Sequence, residues 1–124
     1  MVIGRIERYS VLKTVFKSSD EVTVTILLKD VKVQKNQTKI YLNHTWIKLT
    51  NQLYDMNLKE GSIIDFRCKV EQYKKKTYKR GVYKNKYSLK GVHTIHLIKN
   101  GFGTSLYNFL SKLGIYDHNV LKIY

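Results

Sequence analysis

A chain of 124 residues, 43% apolar and 26% charged, has the composition of a folded domain and is long enough to bury a core without crosslinks. Its 23 Lys and Arg stand against 9 Asp and Glu, a formal charge of +14 that repels its own copies and attracts polyanions: nucleic acid, anionic membrane or an acidic protein. The single cysteine, Cys68, excludes an internal disulfide and a cysteine zinc site, and no apolar run is long enough to span a bilayer, so a cytoplasmic protein is expected.

In chain order, Tyr9 to Phe16 reads as a strand. Val22, Val24, Ile26 and Leu28 then alternate with polar residues along one face, but Val31 and Val33 fall in the opposite phase. A slip of one residue predicts a β-bulge near Lys29 or Asp30, the device that bends a long first hairpin into a barrel. Gln34-Lys35-Asn36-Gln37 reads as a turn into a strand from Thr38 to Trp46. Its alternation places Ile40, Leu42, His44 and Trp46 on the apolar face and Lys39, Tyr41, Asn43 and Thr45 outside.

Leu49, Leu53 and Met56 are spaced for one face of a short helix, and Gly61 marks a turn. Ile64, Phe66, Cys68 and Val70 then alternate inward along a clear strand, which continues into a hairpin about Arg80-Gly81 and returns through Val92 to Ile98. Ser105 or Thr104 is positioned to cap a helix carrying Leu106, Phe109, Leu110 and Leu113, ended by Gly114. The expectation is one domain over 1–124: an all-β, OB-like barrel of five to six strands (about 9–99) with one C-terminal helix (about 104–113). An SH3-like barrel is its nearest rival.

The chemistry concentrates between Arg67 and Lys90, where ten cationic residues face one acid, Glu71, and Tyr73, Tyr78, Tyr83 and Tyr87 are interleaved with them. Single strands offer phosphates for the cations and unstacked bases for the rings. The bland alternative is a solvated loop whose lysines discourage edge pairing. The expected nucleic-acid contacts are Arg67, Lys69, Tyr73, Lys74, Lys76, Tyr78, Lys79, Arg80 and Tyr83, joined by Lys39 and Tyr41 if the middle strands share that surface.

His93 and His96, three apart in a strand, point to opposite faces and do not form a chelating pair. Asp65 and Glu71 lie roughly 20 Å apart at strand rise, beyond the reach of an acid/base pair. No nucleophile elbow or P-loop occurs, and Gly101-x-Gly103 lacks the third glycine of a dinucleotide cradle. The one amphipathic helix has too little positive charge for a membrane surface. Neither an enzyme nor a cofactor- or metal-binding protein is expected.

Asn43-His44-Thr45-Trp46 and Leu58-to-Val70, LKEGSIIDFRCKV, resemble small OB-type proteins carried by phages and mobile elements of low-GC Gram-positive bacteria. These carry an Asp-His-x-Trp-Phe segment, an LxxGDxIxFxAxV strand and a Tyr/Lys-rich hairpin. The resemblance spans about residues 22 to 99. Asn43, Ile47, Ser62 and Cys68 depart from it, and it transfers a fold rather than a binding residue. It implies an accessory gene. The expected function is single-stranded nucleic-acid binding, DNA before RNA; the alternative is a protein-binding module, such as an inhibitor of a guided defence nuclease of the anti-CRISPR type or a ligand of a nucleoprotein complex.

Overall fold

The computed structural model describes residues 1–16, 19–77 and 79–124, with backbone alone for 13–16, 19 and 20. Five long strands dominate: β1 (Val2–Phe16), β2 (Ser19–Lys35), β3 (Thr38–Lys48), β4 (Ile63–Lys76) and β5 (Tyr83–Lys99). Helix α1 (Asn51–Met56) joins β3 to β4, and helix α2 (Leu106–Lys112) follows β5. A 3-10 turn at His118–Val120 leads into the two-residue β6 (Leu121–Lys122). The barrel strands thus begin at Val2 rather than near Tyr9, and the short helix suggested by Leu49, Leu53 and Met56 forms as α1, in addition to the C-terminal one. No helix among the described residues is long and apolar enough to cross a membrane.

β1 pairs antiparallel with both β2 and β4, which sets the order β3-β2-β1-β4-β5; β6 adds to β2 in parallel at Val22. The sheet coils into a small all-β, OB-like barrel around Ile6, Val24, Ile26, Leu28, Val31, Ile47, Ile64 and Phe66, all fully buried. Its two end strands, β3 and β5, face one another without a joining backbone hydrogen bond among the described residues. The barrel therefore has an open seam. At one end of it the Gln52 side chain spans the Ile95 backbone, donating to its carbonyl and accepting from its N–H, both at 3.1 Å. A helix side chain here stands in for the missing strand partner.

The predicted slip in β2 is real. Asp30 adopts φ 52°, and β2 spends Asp30 and Val31 where β1 spends only Gly4. Gly4 allows that crossing, because a Cβ there would lie 3.3 Å from Val31 Cγ2. Both apolar runs of β2 consequently face inward although they differ in parity.

The C-terminal helix caps by the predicted chemistry, and α1 has a hydroxyl cap of its own. The Ser105 hydroxyl accepts from the Asn108 amide and the Thr50 hydroxyl from the Leu53 amide, while Gly114 takes φ 73°. Leu106 and Leu110 enter the core, but Leu113 is exposed: the helix stops before its third turn can bring that residue down. Tyr9 lies beneath α2, tilted against Phe109, and its hydroxyl donates to the Leu58 carbonyl. Burial, helped by Glu60, pushes its phenol well above the usual range.

Gly101 and Gly103 serve packing. A Cβ on Gly101 would meet Glu60 O at 2.2 Å and Ser62 N at 2.4 Å, and the Ser62 hydroxyl accepts the Gly101 amide. Gly101→Ala is expected to destabilise the fold by about 2–4 kcal/mol, against about 1 kcal/mol for Gly81→Ala, where only a left-handed turn is strained. Urea unfolding midpoints of the two variants check the difference, and equal shifts contradict it.

Candidate nucleic-acid interface

The face of β3 that meets solvent is set by its pairing with β2. That pairing keeps one register throughout, with Leu28 opposite Thr45 and Val31 opposite Leu42. Residues directly opposite in an antiparallel pair share a face. When β2 changes phase at Asp30, β3 must change with it. Ile40 and Leu42 lean inward on one side of the change, Thr45 and Ile47 on the other.

His44 and Trp46 are therefore outside, contrary to the apolar face expected for them, and Thr45 is inside, contrary to the outer face. Simple alternation fails because the signal for the slip lies in the neighbouring strand. Lys39, Tyr41, His44, Trp46 and Lys48 now form one outward row in which three rings stand between two lysines. Tyr41 is 72% exposed and Trp46 41%. Cations from β2 and β1 lie over these rings: Lys32 is 5.9 Å from the Tyr41 centroid and Arg8, two strands away, 5.6 Å from that of Trp46.

Opposite this row stands the β4–β5 hairpin. Beyond Val70 and Leu89 it leaves the barrel, and Gln72–Lys76 and Tyr83–Lys86 are exposed on both faces, making a two-stranded arm. Thr77 closes its tip by donating to the Val82 carbonyl, and Gly81 turns at φ 79°. Between the arm and β3 runs a cleft of about 610 Å³, its walls including Tyr41, His44 and Trp46 on one side and Tyr73, Lys75, Lys86 and Tyr87 on the other.

At Trp46 and Ser88 the cleft continues into a smaller pocket of about 320 Å³ bounded by Lys48, Thr50, Leu89, Lys90, Gly91, Val92 and Tyr124. From Tyr41 to Lys48 the combined groove extends roughly 24 Å at strand rise. No Asp or Glu lines either part. Among the described residues no carboxylate comes within ion-pair distance of Lys48, Lys75 or Lys86.

The expected contact residues divide. Tyr41 and Tyr73 both line the cleft, with Tyr73 49% exposed. Lys74 lies opposite Asn85 on the arm; Lys76 and Tyr83 face each other near its end, and Lys79 and Arg80 form the exposed tip. Lys39 sits at the β2–β3 turn opposite Gln34. Arg67 pairs with His93 on the barrel wall. Lys69 is bound to Glu71 at 3.4 Å and borders a different hollow, beside Val33 and Cys68. Tyr78 lies outside the described residues.

Trp46, His44, Lys48, Lys75, Lys86, Tyr87, Lys90 and Tyr124 belong to the groove but were not among the expected contacts. For Trp46, Lys48 and His44 the missing step was to carry the β2 slip across to β3. For Tyr124 no local signal existed. Its ring reaches the groove because its amide donates to the Leu49 carbonyl and Lys48 lies 4.4 Å over the ring. Burial raises the Tyr124 phenol, but the Thr23 hydrogen bond and the charges of Lys48 and Lys122 outweigh it and bring the phenol below its usual range.

Glu71 is the one acid of the arm's base. Hydrogen bonds from Lys90, at 3.0 Å, and Lys69 hold its carboxyl below the ordinary carboxylate range. Contrary to the opposite faces expected of them, His93 and His96 lie opposite Arg67 and Asp65 on one face of the sheet, because Thr94, at φ 53°, puts an extra residue into β5 between them. His96 meets Asp65 at 2.9 Å, while His93 hydrogen-bonds to Thr94. No cluster of three metal-ligating side chains occurs among the described residues. Burial raises the Cys68 thiol.

No protein-family model, curated protein or solved structure matches this chain.

Because Trp46 is the only tryptophan, its surroundings can be read directly. Its emission is expected to be red-shifted and readily quenched by acrylamide in the native protein. Trp46→Ala is expected to cost less than about 1.5 kcal/mol, where truncating a core tryptophan costs about 3–5 kcal/mol. A blue-shifted, protected emission contradicts the outward placement.

Proposed function

We propose that the protein binds single-stranded nucleic acid along the β3–β5 seam. The observation that carries this reading is the groove: Tyr41, Trp46 and Tyr73 exposed along a cleft walled with lysines and free of carboxylates. Phosphates satisfy Lys48, Lys75, Lys86 and Lys90, and unstacked bases lie on the rings, each stack being worth roughly 1–3 kcal/mol. The groove's extent suits the low end of the ~4–16 nucleotides a single barrel of this kind accommodates. The exposed arm, with Lys74, Lys76, Lys79, Arg80 and Tyr83, is positioned to close over a strand once one is seated. A free two-stranded hairpin is only marginally stable, so it can adapt to what lies beneath it. An accessory role in a phage or mobile element, in the cytoplasm, fits this activity.

A second reading rests on the unpaired edges of β3 and β5. An extended peptide can add to such edges by main-chain hydrogen bonds, which is the chemistry of a protein-binding module such as a nuclease inhibitor. Rings and unpaired cations along the same seam favour nucleic acid.

Titration with single-stranded DNA and RNA, followed by Trp46 quenching, tests the proposal. Four lysine contacts give a slope of log K on log salt of about −3, and Lys75→Ala or Lys86→Ala each reduces it by about 0.7. Tyr41→Ala and Tyr73→Ala are expected to weaken binding roughly fivefold or more at every salt concentration. Binding that disappears at physiological salt, or that is indifferent to both tyrosines, defeats the stacking reading and turns attention to a peptide.

A further inference from the structure

The 320 Å³ pocket at the Tyr124 end differs in kind from the open cleft that leads to it. It is narrower and largely apolar inside, with Leu89 and Val92 among its walls and two aromatic rings, Trp46 and Tyr124, bordering it. Its size falls at the lower end of the range for small-molecule sites, which matches one base with its sugar. Lys48 and Lys90 line the same space, Lys48 with no acidic partner among the described residues and Lys90 held by Glu71 at 3.0 Å, so flat apolar surface and positive charge are both present there.

The backbone also leaves room. Gly91, in the wall, has φ 64° and nothing within 4 Å of where a Cβ would stand, so no side chain or neighbouring group crowds the main chain at that point. The Thr50 hydroxyl, already accepting from the Leu53 amide, keeps a proton to donate into this region. The absence of a lining Asp or Glu side chain argues against a cation as occupant, and the two rings argue against a bare phosphate.

We infer that this pocket is a nucleotide subsite: one base of the bound strand leaves the stack and enters beside Trp46 and Tyr124, with its phosphate at Lys48 and Lys90. The inference rests on the single-strand reading above and adds a mechanism to it. In a duplex, a base can reach such a pocket only by breaking its pair and its stacking. The subsite would thus select single strands by itself, whatever the arm does.

The experiment follows Trp46 fluorescence and the amide resonance of Gly91 during titration with a nucleoside monophosphate, the matching nucleoside and inorganic phosphate. The monophosphate is expected to saturate both signals, the nucleoside to do so more weakly, and phosphate to leave them unchanged. Tyr124→Ala is expected to weaken the monophosphate and a single-stranded oligonucleotide roughly fivefold or more. Lys90→Gln, which leaves the rings in place, is expected to weaken the monophosphate but not the nucleoside.

Equal responses to phosphate and monophosphate overturn the subsite. So does a silent pocket when oligonucleotides bind and Tyr124→Ala binds them like the parent; the strand reading then survives alone. If the monophosphate binds and oligonucleotides do not, the pocket stands and the strand reading falls.

Discussion

The structure turns on one backbone constraint: Asp30 in the left-handed region, within a strand paired on both sides. Toward β1 it produces a bulge, toward β3 it does not, so the change of face in β2 is handed intact to β3. The core gains both parities of β2, Leu28 and Val31 alike, as a tightly bent strand requires. The same event turns Trp46 and His44 outward and gives the barrel an aromatic, cationic outer row. Core and candidate site are two consequences of a single torsion.

The open seam is what makes that row useful. A closed barrel has no edges and no groove between strands. Here the ends of the sheet are held beside each other by α1, with Gln52 satisfying the Ile95 backbone, and by the shared core rather than by a ladder. The space left between them collects side chains from elements far apart in the chain: β3, the arm and Tyr124. Its lining is one-sided in charge because no Asp or Glu side chain reaches it, and the nearby acids are bound in ion pairs. Glu7 and Asp30 meet Arg5, Glu7 also reaches Lys29, and Glu71 holds Lys69 and Lys90.

Lys90 has two roles in this arrangement. It borders the inner pocket and it is the nearest partner of Glu71. An arriving phosphate competes with that carboxylate, so the ion pair moderates the charge of the pocket when it is empty. Both groups are substantially exposed, and a pair of that kind is worth little in water, so the competition is one a phosphate can win. Lys69, on the other arm of Glu71, opens toward another hollow, which is why a strand parity argument alone misplaced it.

The sequence by itself determined the class of fold. Alternation in Val22–Leu28 and Ile64–Val70, the phase slip before Val31, the serine cap at Ser105 and the stop at Gly114 are local signals, and each is legible because it acts within a few residues. It also determined that a Tyr/Lys-rich hairpin exists and that Tyr41 and Tyr73 belong to outward faces. Tertiary structure alone decided which side of β3 carries Trp46, because that follows from the register with β2. It alone decided that Lys69 and Tyr73, four residues apart on one strand, serve different surfaces, because β4 leaves the barrel between them. And it alone brought Tyr124 beside Lys48, since a contact between distant segments depends on how the sheet coils and leaves no trace in local periodicity.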